Sequence, residues 1–217
     1  MTDFTPTERS RVKRLHKRAH YDHDTVHRLI DEIGTGSVGY VIDGHPHVTP
    51  TLVWREGDKV YWHGSSASRM LRQVKTGIPV SLNVFHLDGL VLARSGFHSS
   101  VNYRSATLFG TAEVVEGSDE QEASLKAFLE RFVPGHWDTL RPVNSQEIKA
   151  TTIVAMTIEE ASAKIRTGHC EDDEEDYELD IWAGIIPVHT VIGEPEDDPR
   201  LKAGVARPDH LKTIKFG

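Results

Sequence analysis

A loop with the chemistry of an anion site runs from His63 to Arg69 in the order His-Gly-Ser-Ser-Ala-Ser-Arg. Gly64 lets a ligand approach the backbone, and the serine hydroxyls and backbone N–H groups can donate hydrogen bonds. Arg69, in the first turn of a predicted helix, can hold two phosphate oxygens, and the helix dipole favours negative charge there. The loop therefore predicts a phosphate site. From composition alone, an ordinary serine helix cap beside a surface arginine remains the alternative.

A second glycine-rich stretch, Gly34 to Gly39, matches the G-x-G-x-x-G pattern of dinucleotide-binding proteins. In those proteins the pattern follows a strand and opens a helix, whose N-terminus holds the pyrophosphate. Here it follows a helical pattern and opens a strand. We interpret it as a helix stop and a turn.

Four histidines near the N-terminus would suit a metal ion if they shared one helix face. His16, His20, His23 and His27 are spaced by four, three and four residues, which aligns them on a continuous helix. Asp22, however, is a preferred helix cap and places a helix start between them. The sequence therefore predicts surface histidines and no metal site, and a metal-binding protein is kept as a third hypothesis.

Apolar periodicity predicts the elements that position these residues. A helix spans Asp22–Ile33, a short helix covers Met70–Val74, and an amphipathic helix opens at Ser118 with a capping box to Gln121. The predicted strands are Val38–Ile42, Val48–Trp54, Lys59–His63, Val80–Val84, Leu90–Arg94, Thr107–Val115 and Thr151–Ile158. Tight turns join the first three strands, so we expect antiparallel pairing.

The remaining segments are predicted to lie outside these helices and strands. They are a turn at His86–Gly89, a polar connection at Glu159–Arg166, a solvated acidic loop at Glu171–Asp176 and a last apolar segment at Ile181–Val188. Many short antiparallel strands with two or three peripheral helices predict an α+β, mainly β fold, an antiparallel, Greek-key-like barrel. We expect one domain over residues 1–192 and a mobile tail over 193–217.

Composition limits the class of protein. The 217 residues carry a net charge of −8, with 27% charged and 38% hydrophobic residues, which is typical of a globular protein and argues against a nucleic-acid partner. Cys170 is the single cysteine, so no disulfide framework forms within the chain. The absence of a long apolar run or secretory signal predicts a cytoplasmic protein with no membrane role.

Several stretches together resemble the flavin split-barrel superfamily of pyridoxamine 5'-phosphate oxidases, most closely its nitroimidazole-reductase-like, flavin-nucleotide-binding branch. They cover about residues 9 to 190. The stretches are Arg18–Asp22, His47–Pro50, Tyr61–Gly64, Ser68–Arg69, Phe97–Ser105, Phe109–Gly110 and Trp182–Pro187.

The resemblance implies a homodimer with FMN across its interface. The flavin ring would lie against the strand Val48–Val53 and the phosphate near Ser68 and Arg69, with His63 beside the flavin as the candidate catalytic residue. The implied cofactor-binding residues are Val48, Thr49, Pro50, Thr51, Leu52, Val53, His63, Gly64, Ser65, Ser68, Arg69, Asn102, Tyr103, Arg104 and Lys164.

Two departures from the oxidases refine this expectation. Pyridoxamine oxidases carry an arginine-bearing C-terminal segment that has no clear match around Trp182–Val188. Their phosphate loop commonly has an Arg-Lys pair where this chain has only Arg69, so Arg104 or Lys164 is the candidate for a second cation.

The predicted function is that of an FMN-dependent oxidoreductase that reduces a small electrophile such as a nitroaromatic. The flavin would supply the chemistry, and His63 would donate a hydrogen bond or a proton to the substrate. The alternative is a non-catalytic protein that binds or carries a flavin or a tetrapyrrole.

Overall fold

The computed structural model describes residues 3–75 and 77–214. Within these residues the chain forms ten β-strands and four α-helices, with 3-10 helices at His16–Arg18, Trp137–Thr139, Glu174–Glu178 and Asp209–Thr213. The strands are β1 (Ala19–His20), β2 (Thr35–Ile42), β3 (His45–Leu52), β4 (Trp54–Glu56), β5 (Lys59–Ser65), β6 (Pro79–Leu92), β7 (Ser100–Val114), β8 (Thr151–Thr157), β9 (Glu160–Arg166) and β10 (Gly184–Pro187). The α-helices are α1 (His23–Ile33), α2 (Arg69–Val74), α3 (Ser118–Phe132) and α4 (Ser145–Ala150).

The described strands pair in antiparallel fashion in the order β3-β2-β6-β7-β8-β5-β4, while β9 pairs with β1 and β7, and β10 with β6. Strands β3 and β5 lie near opposite ends of this order and yet contact each other, so the sheet curls into a barrel. The predicted antiparallel, mainly β fold with peripheral helices is confirmed.

Strand β7 holds the two parts of the sheet together. One edge pairs with β6, and the other pairs first with β9, over Tyr103–Phe109, and then with β8, over Ala112–Val114. The change of partner occurs at Gly110, where an added Cβ would lie 2.2 Å from the Thr157 carbonyl oxygen. Only a glycine fits this crossing.

Helix α1 closes one side of the barrel, and its boundaries follow the sequence prediction. Asp22 caps its start by accepting a hydrogen bond from the Thr25 N–H at 2.7 Å, and Gly34 ends it with a φ of 64°. The helix buries its apolar face in the core. The buried apolar residues of the helix are Val26, Leu29, Ile30 and Ile33. The interpretation of Gly34 as a helix stop is confirmed, but the turn predicted with it is wrong, because β2 begins at Thr35.

The predicted turn at His86–Gly89 is wrong, because β6 is one continuous strand. A β-bulge between Leu87 and Gly89 absorbs the irregularity, and pairing with β7 resumes beyond it. Turn-forming residues therefore mark a bulge here.

The polar connection predicted at Glu159–Arg166 is also wrong, because residues 160–166 form β9. Ala161 and Ala163 are the fully buried residues of this strand. Small alanine side chains carry little apolar signal, so the alternation was hidden among charged neighbours.

The capping box predicted at Ser118 is absent from the described start of α3. Gly117 is the N-cap residue, and the Gln121 side chain donates to the Val115 carbonyl at 3.0 Å. A complete capping box instead opens α4, where the Asn144 side chain accepts the Glu147 N–H and the Glu147 side chain accepts the Asn144 N–H, both at 3.0 Å.

The acidic run Glu171–Asp176 is not wholly solvated. The Asp172 side chain is fully buried and accepts hydrogen bonds from the guanidinium and the backbone N–H of Arg94 at 3.0 and 3.1 Å. The solvated-loop prediction is wrong at this residue. The partner lies 78 residues away in sequence, where a local charge pattern carries no information.

The C-terminal segment from residue 193 to residue 208 is described without helix or strand, and Asp209–Thr213 then forms a 3-10 turn. Its predicted mobility stays a prediction. Among the helices that the structure describes, none has the length and apolar character needed to cross a bilayer.

We expect Gly110→Ala to lower the free energy of unfolding by about 1–3 kcal/mol, the usual cost of overpacking a filled core. Gly96→Ala is the control, since nothing lies within 4 Å of a Cβ built there, and its change should stay within about 0.5 kcal/mol. Urea unfolding of both variants measures the difference. Equal losses of unfolding free energy in the two variants would contradict the conclusion that only a glycine fits at position 110.

Candidate functional site

The loop after β5 is held in place by its own backbone and by a distant helix. The Ser65 carbonyl accepts the Ser68 N–H at 2.8 Å, and the Ser65 hydroxyl accepts the Ala67 N–H at 3.3 Å. The Ser66 N–H donates to the Ala150 carbonyl at 2.8 Å, which ties the loop to the junction of α4 and β8. The loop is therefore a fixed surface before any ligand arrives.

Two side chains of this loop are available to a ligand. Ser68 is the N-cap residue of α2, but its hydroxyl makes no capping hydrogen bond to the described backbone. Arg69 is exposed and forms no salt bridge with any residue in 3–75 or 77–214. The ordinary serine cap is therefore not what the structure shows. Since α2 has only six residues, anion binding depends on these side chains more than on a helix dipole.

Gly64 has a packing role in the structure. A Cβ added there would lie 3.0 Å from Leu71 Cδ1, so the absence of a side chain lets α2 pack against the end of β5. The sequence interpretation of Gly64 as room for a ligand stays a prediction.

His63 lies on the face of β5 opposite the fully buried Trp62. Its ring contacts Phe128 of α3 edge-on, with centroids 4.6 Å apart, and lies 5.9 Å from the Trp54 ring. The Nδ1 atom is buried and has no hydrogen-bond partner in the part of the chain that the structure describes. Burial lowers the pKa of His63, so the imidazole is neutral at pH 7.

Strand β3, where the flavin ring was predicted, has two different faces. The Thr49 hydroxyl is 3.0 Å from the Tyr40 hydroxyl, and Val53 just beyond the strand is fully buried. Val48 and Leu52 point outward, and Val48 is 70% exposed. Because β3 contacts β5, the barrel brings this strand and the His63 strand together.

Asn102 and Tyr103 make internal contacts. Asn102 is buried, receives a hydrogen bond from Arg166 and donates one to the Gly168 carbonyl at 3.1 Å. The Tyr103 ring packs near Phe85 at a centroid distance of 6.1 Å. Their predicted role in cofactor binding stays a prediction, and their observed role is to hold β7 in place.

The two candidates for a second cation differ. Arg104 is engaged, since it forms salt bridges with Asp88 at 3.0 Å and with Glu32. The hydrogen bond that Arg104 donates to Asp88 raises the pKa of Arg104, and the charges of Asp88 and Glu32 act in the same direction. Lys164 is half-buried and pairs with no described carboxylate. Lys164 is thus the cation of the two that a ligand would find unpaired.

The sequence did not predict that the aromatic rings of Phe128 and Trp54 pack over His63. Phe128 belongs to the amphipathic helix predicted from Ser118, but nothing in the sequence indicated which strand the apolar face of that helix covers. Trp54 was predicted as the end of a strand, and its ring, 5.2 Å from Phe128, completes the cover. Pairing between distant residues is what periodicity cannot reveal.

The comparisons with known proteins give matches over most of the chain. The family model described as pyridoxamine 5'-phosphate oxidase matches residues 22–165. The solved structure of the flavocytochrome Anf3 from Azotobacter vinelandii is 42% identical, covers 99% of this chain and 100% of its own, and superposes with a TM-score of 0.93. The FAD and haem binding protein from Mycobacterium smegmatis is 37% identical, with 92% and 98% coverage and a TM-score of 0.87.

A more distant structure shares the fold alone. It is a putative 5-nitroimidazole antibiotic resistance protein from Bacteroides thetaiotaomicron, 17% identical over 68% of this chain and 86% of its own, with a TM-score of 0.56. No curated protein sequence matches the chain significantly.

Because burial lowers the pKa of His63 below 6.5, its unfolded form binds a proton at higher pH than its folded form. The stability that His63 contributes is therefore present above about pH 6.5 and lost as the pH falls toward the folded-state pKa. Between about pH 7.5 and 5.5, we expect the free energy of unfolding to fall less in His63→Gln than in the parent protein. Urea unfolding at the two pH values tests this, with His45→Gln, at an exposed position, as the variant that should match the parent. If the free energy of unfolding fell by the same amount in all three proteins, the lowered pKa of His63 would be contradicted.

Proposed function

The chain belongs to the pyridoxamine 5'-phosphate oxidase family, and from this membership we propose that it is a flavin-binding redox protein whose loop Ser65–Arg69 holds the flavin phosphate. The resemblance to the flavin split barrels that the sequence predicted is confirmed. The observation that carries the proposal concerns Arg69 and the Ser68 hydroxyl, which have no salt bridge and no capping hydrogen bond, respectively, to any described residue, on a loop whose backbone is already fixed.

The flavin we propose is FAD, in place of the FMN expected from the sequence. The FMN phosphate is a monoester with a charge of about −1.5 to −2 at neutral pH, whereas each phosphate of a diphosphate bridge carries about one negative charge. A diphosphate bridge thus spreads about the same total charge over two groups, and a loop with one arginine suits one such group. The Mycobacterium smegmatis relative is described as binding FAD, which supports the same choice.

The residues of this chain would orient the flavin and its substrate. When bound, a flavin supplies hydride and single-electron transfer. Arg69 and Ser68 would hold the phosphate, β3 would offer backbone groups and the apolar side chain of Val48 to the ring, and neutral His63 would offer one N–H donor. Reduction of a small electrophile such as a nitroaromatic is the reaction we propose for this arrangement, and binding without turnover is its alternative.

We further propose that two copies of the chain complete the site. The outward residues of β2, β3 and β6 leave an apolar surface, with Val41 56%, Val48 70% and Phe85 53% exposed. Exposed apolar side chains in contiguous strands are typical of an interface. Because Val48 lies on the proposed flavin strand, a partner chain would cover the ring from outside.

Haem is a second ligand that we propose on a separate observation. His47 lines an apolar groove of about 390 Å³ together with Tyr40, Pro46, Val48 and Phe109. Its Nε2 atom has no hydrogen-bond partner among the described residues, and its ring stacks on Tyr40 with centroids 5.5 Å apart. An uncommitted imidazole in apolar surroundings is the donor that haem iron commonly takes. The two similar structures, a flavocytochrome and an FAD and haem binding protein, support this ligand.

We expect the purified chain to be coloured, with the absorption of an oxidised flavin and a haem Soret band, and to release FAD on denaturation. His47→Ala should lose the Soret band and keep the flavin, while His45→Ala, two residues away and exposed, should keep both. A colourless protein that takes up neither FAD nor FMN would overturn the flavin proposal. A protein that binds flavin and no haem would overturn the haem proposal alone.

We expect Arg69→Ala to weaken FAD binding by about 1.5–3 kcal/mol, the scale of a hydrogen bond to a charged group. Lys75→Ala removes a positive charge beyond the other end of α2 and is the matched control, with affinity expected to stay near that of the parent. Fluorescence titration of the flavin-free proteins measures both. Equal affinities in the parent and Arg69→Ala would place the phosphate elsewhere.

A further inference from the structure

A cluster of side chains that can ligate a metal ion lies at the start of α1, apart from the proposed phosphate loop. His23 and His27 are one helical turn apart, and Asp58 lies in the turn between β4 and β5. One ligand atom from each, a ring nitrogen or a carboxylate oxygen, lies within 4.8 Å of the other two. The sequence predicted surface histidines here, but the side chains of His23 and His27 are only 17% and 11% exposed.

The distances in this cluster are unlike those of hydrogen bonds. The Asp58 Oδ1 atom is 3.5 Å from His23 Nδ1 and 3.3 Å from His27 Nε2. Charge-assisted N–H···O bonds are about 2.7–2.9 Å long. Both ring nitrogens are buried, and neither has a hydrogen-bond partner within the described part of the chain. Two buried imidazole nitrogens thus face a carboxylate without bonding to it.

The same distances fit donors that share one ion. Zinc binds histidine nitrogens and carboxylate oxygens at about 2.0–2.2 Å, so two donors on one tetrahedral ion lie about 3.3–3.5 Å apart. We propose that His23, His27 and Asp58 form a binding site for a divalent transition-metal ion of the zinc type. Two imidazoles and one carboxylate favour such ions over Mg²⁺ and Ca²⁺, which prefer all-oxygen sites.

The surroundings hold the ligands in place. The Phe4 ring stacks on His23 with centroids 3.8 Å apart, and the Phe4 N–H is tied to the Tyr21 carbonyl at 2.9 Å. The Asp58 carbonyl accepts the Ile158 N–H at 2.9 Å, which fixes the turn. These contacts set the directions of the ligands before a metal binds.

Access to the site comes from the solvent side. His27 lines a groove of about 620 Å³, and the Asp58 side chain is 54% exposed. The groove also contains Arg55, whose charge is offset by its salt bridge to Asp31. Three protein ligands leave at least one position for water, as in zinc sites with an open coordination position.

Zinc binding to the full-length, untagged protein with its native cofactors tests the proposal. After dialysis against a chelator and then against buffer, calorimetric titration with Zn²⁺ should give one ion per chain, and Mg²⁺ should give no binding. We expect Asp58→Asn and His27→Gln each to weaken zinc binding by at least about 100-fold, more than outer-shell substitutions usually do. His16→Gln, at an exposed histidine outside the cluster, should bind zinc as the parent does.

Thermal unfolding supplies a second readout that does not depend on activity. Zinc should raise the midpoint of the parent and of His16→Gln, and leave that of Asp58→Asn unchanged, because an ion stabilises only the state that binds it. The Asp58 side chain is largely exposed, so this variant keeps the test usable if His27→Gln fails to fold. Absence of zinc binding by the parent, or equal affinity in the parent and Asp58→Asn, would overturn the proposal. Neither result depends on whether the protein binds a flavin.

Discussion

The structure depends on one close crossing of strands. At Gly110 the backbone of β7 passes so near to β8 that no side chain fits between them, and this lets β7 leave one partner, β9, and join another. The strand that carries the proposed phosphate loop, β5, pairs with β8. Because β8 pairs with both β7 and β5, the crossing in β7 also determines where the loop after β5 lies relative to the rest of the barrel.

Strand β5 also joins two of the proposed ligand sites, the phosphate loop and the metal site at His23, His27 and Asp58. The Asp58 turn precedes its first residue, and Ser65 at its last residue begins the proposed phosphate loop. A strand of this length spans about 20 Å, and it is paired on both sides, with β4 over its first half and with β8 throughout. The two sites are thus held at a constant separation and contact different helices, α1 and α2.

The sequence predicted the elements whose signals are local. Helix α1 was recognised by its cap and its apolar face, and the loop by glycine, serine and arginine in succession. Predictions failed where the local apolar signal is weak, as in β9 with its buried alanines, or where a distant residue decides, as where Asp172 is buried against Arg94. The histidine cluster was missed for the same reason, because the turn that supplies Asp58 lies 31 residues after His27, as their numbers show.

Strand β3 ends the strand order, and its sequence limits what can attach to it. The Val53 N–H donates to the Gly34 carbonyl, on the side of β2. Backbone N–H groups alternate in direction along a strand, so those of residues 45, 47, 49 and 51 also point toward β2. The backbone N–H positions of residues 46, 48, 50 and 52 lie on the opposite, outer edge. Two of those four are Pro46 and Pro50, which have no N–H to donate. The outer edge of β3 therefore offers backbone donors only at Val48 and Leu52, which are too few to pair with an added strand. The two prolines thus disfavour edge-to-edge aggregation through this exposed strand.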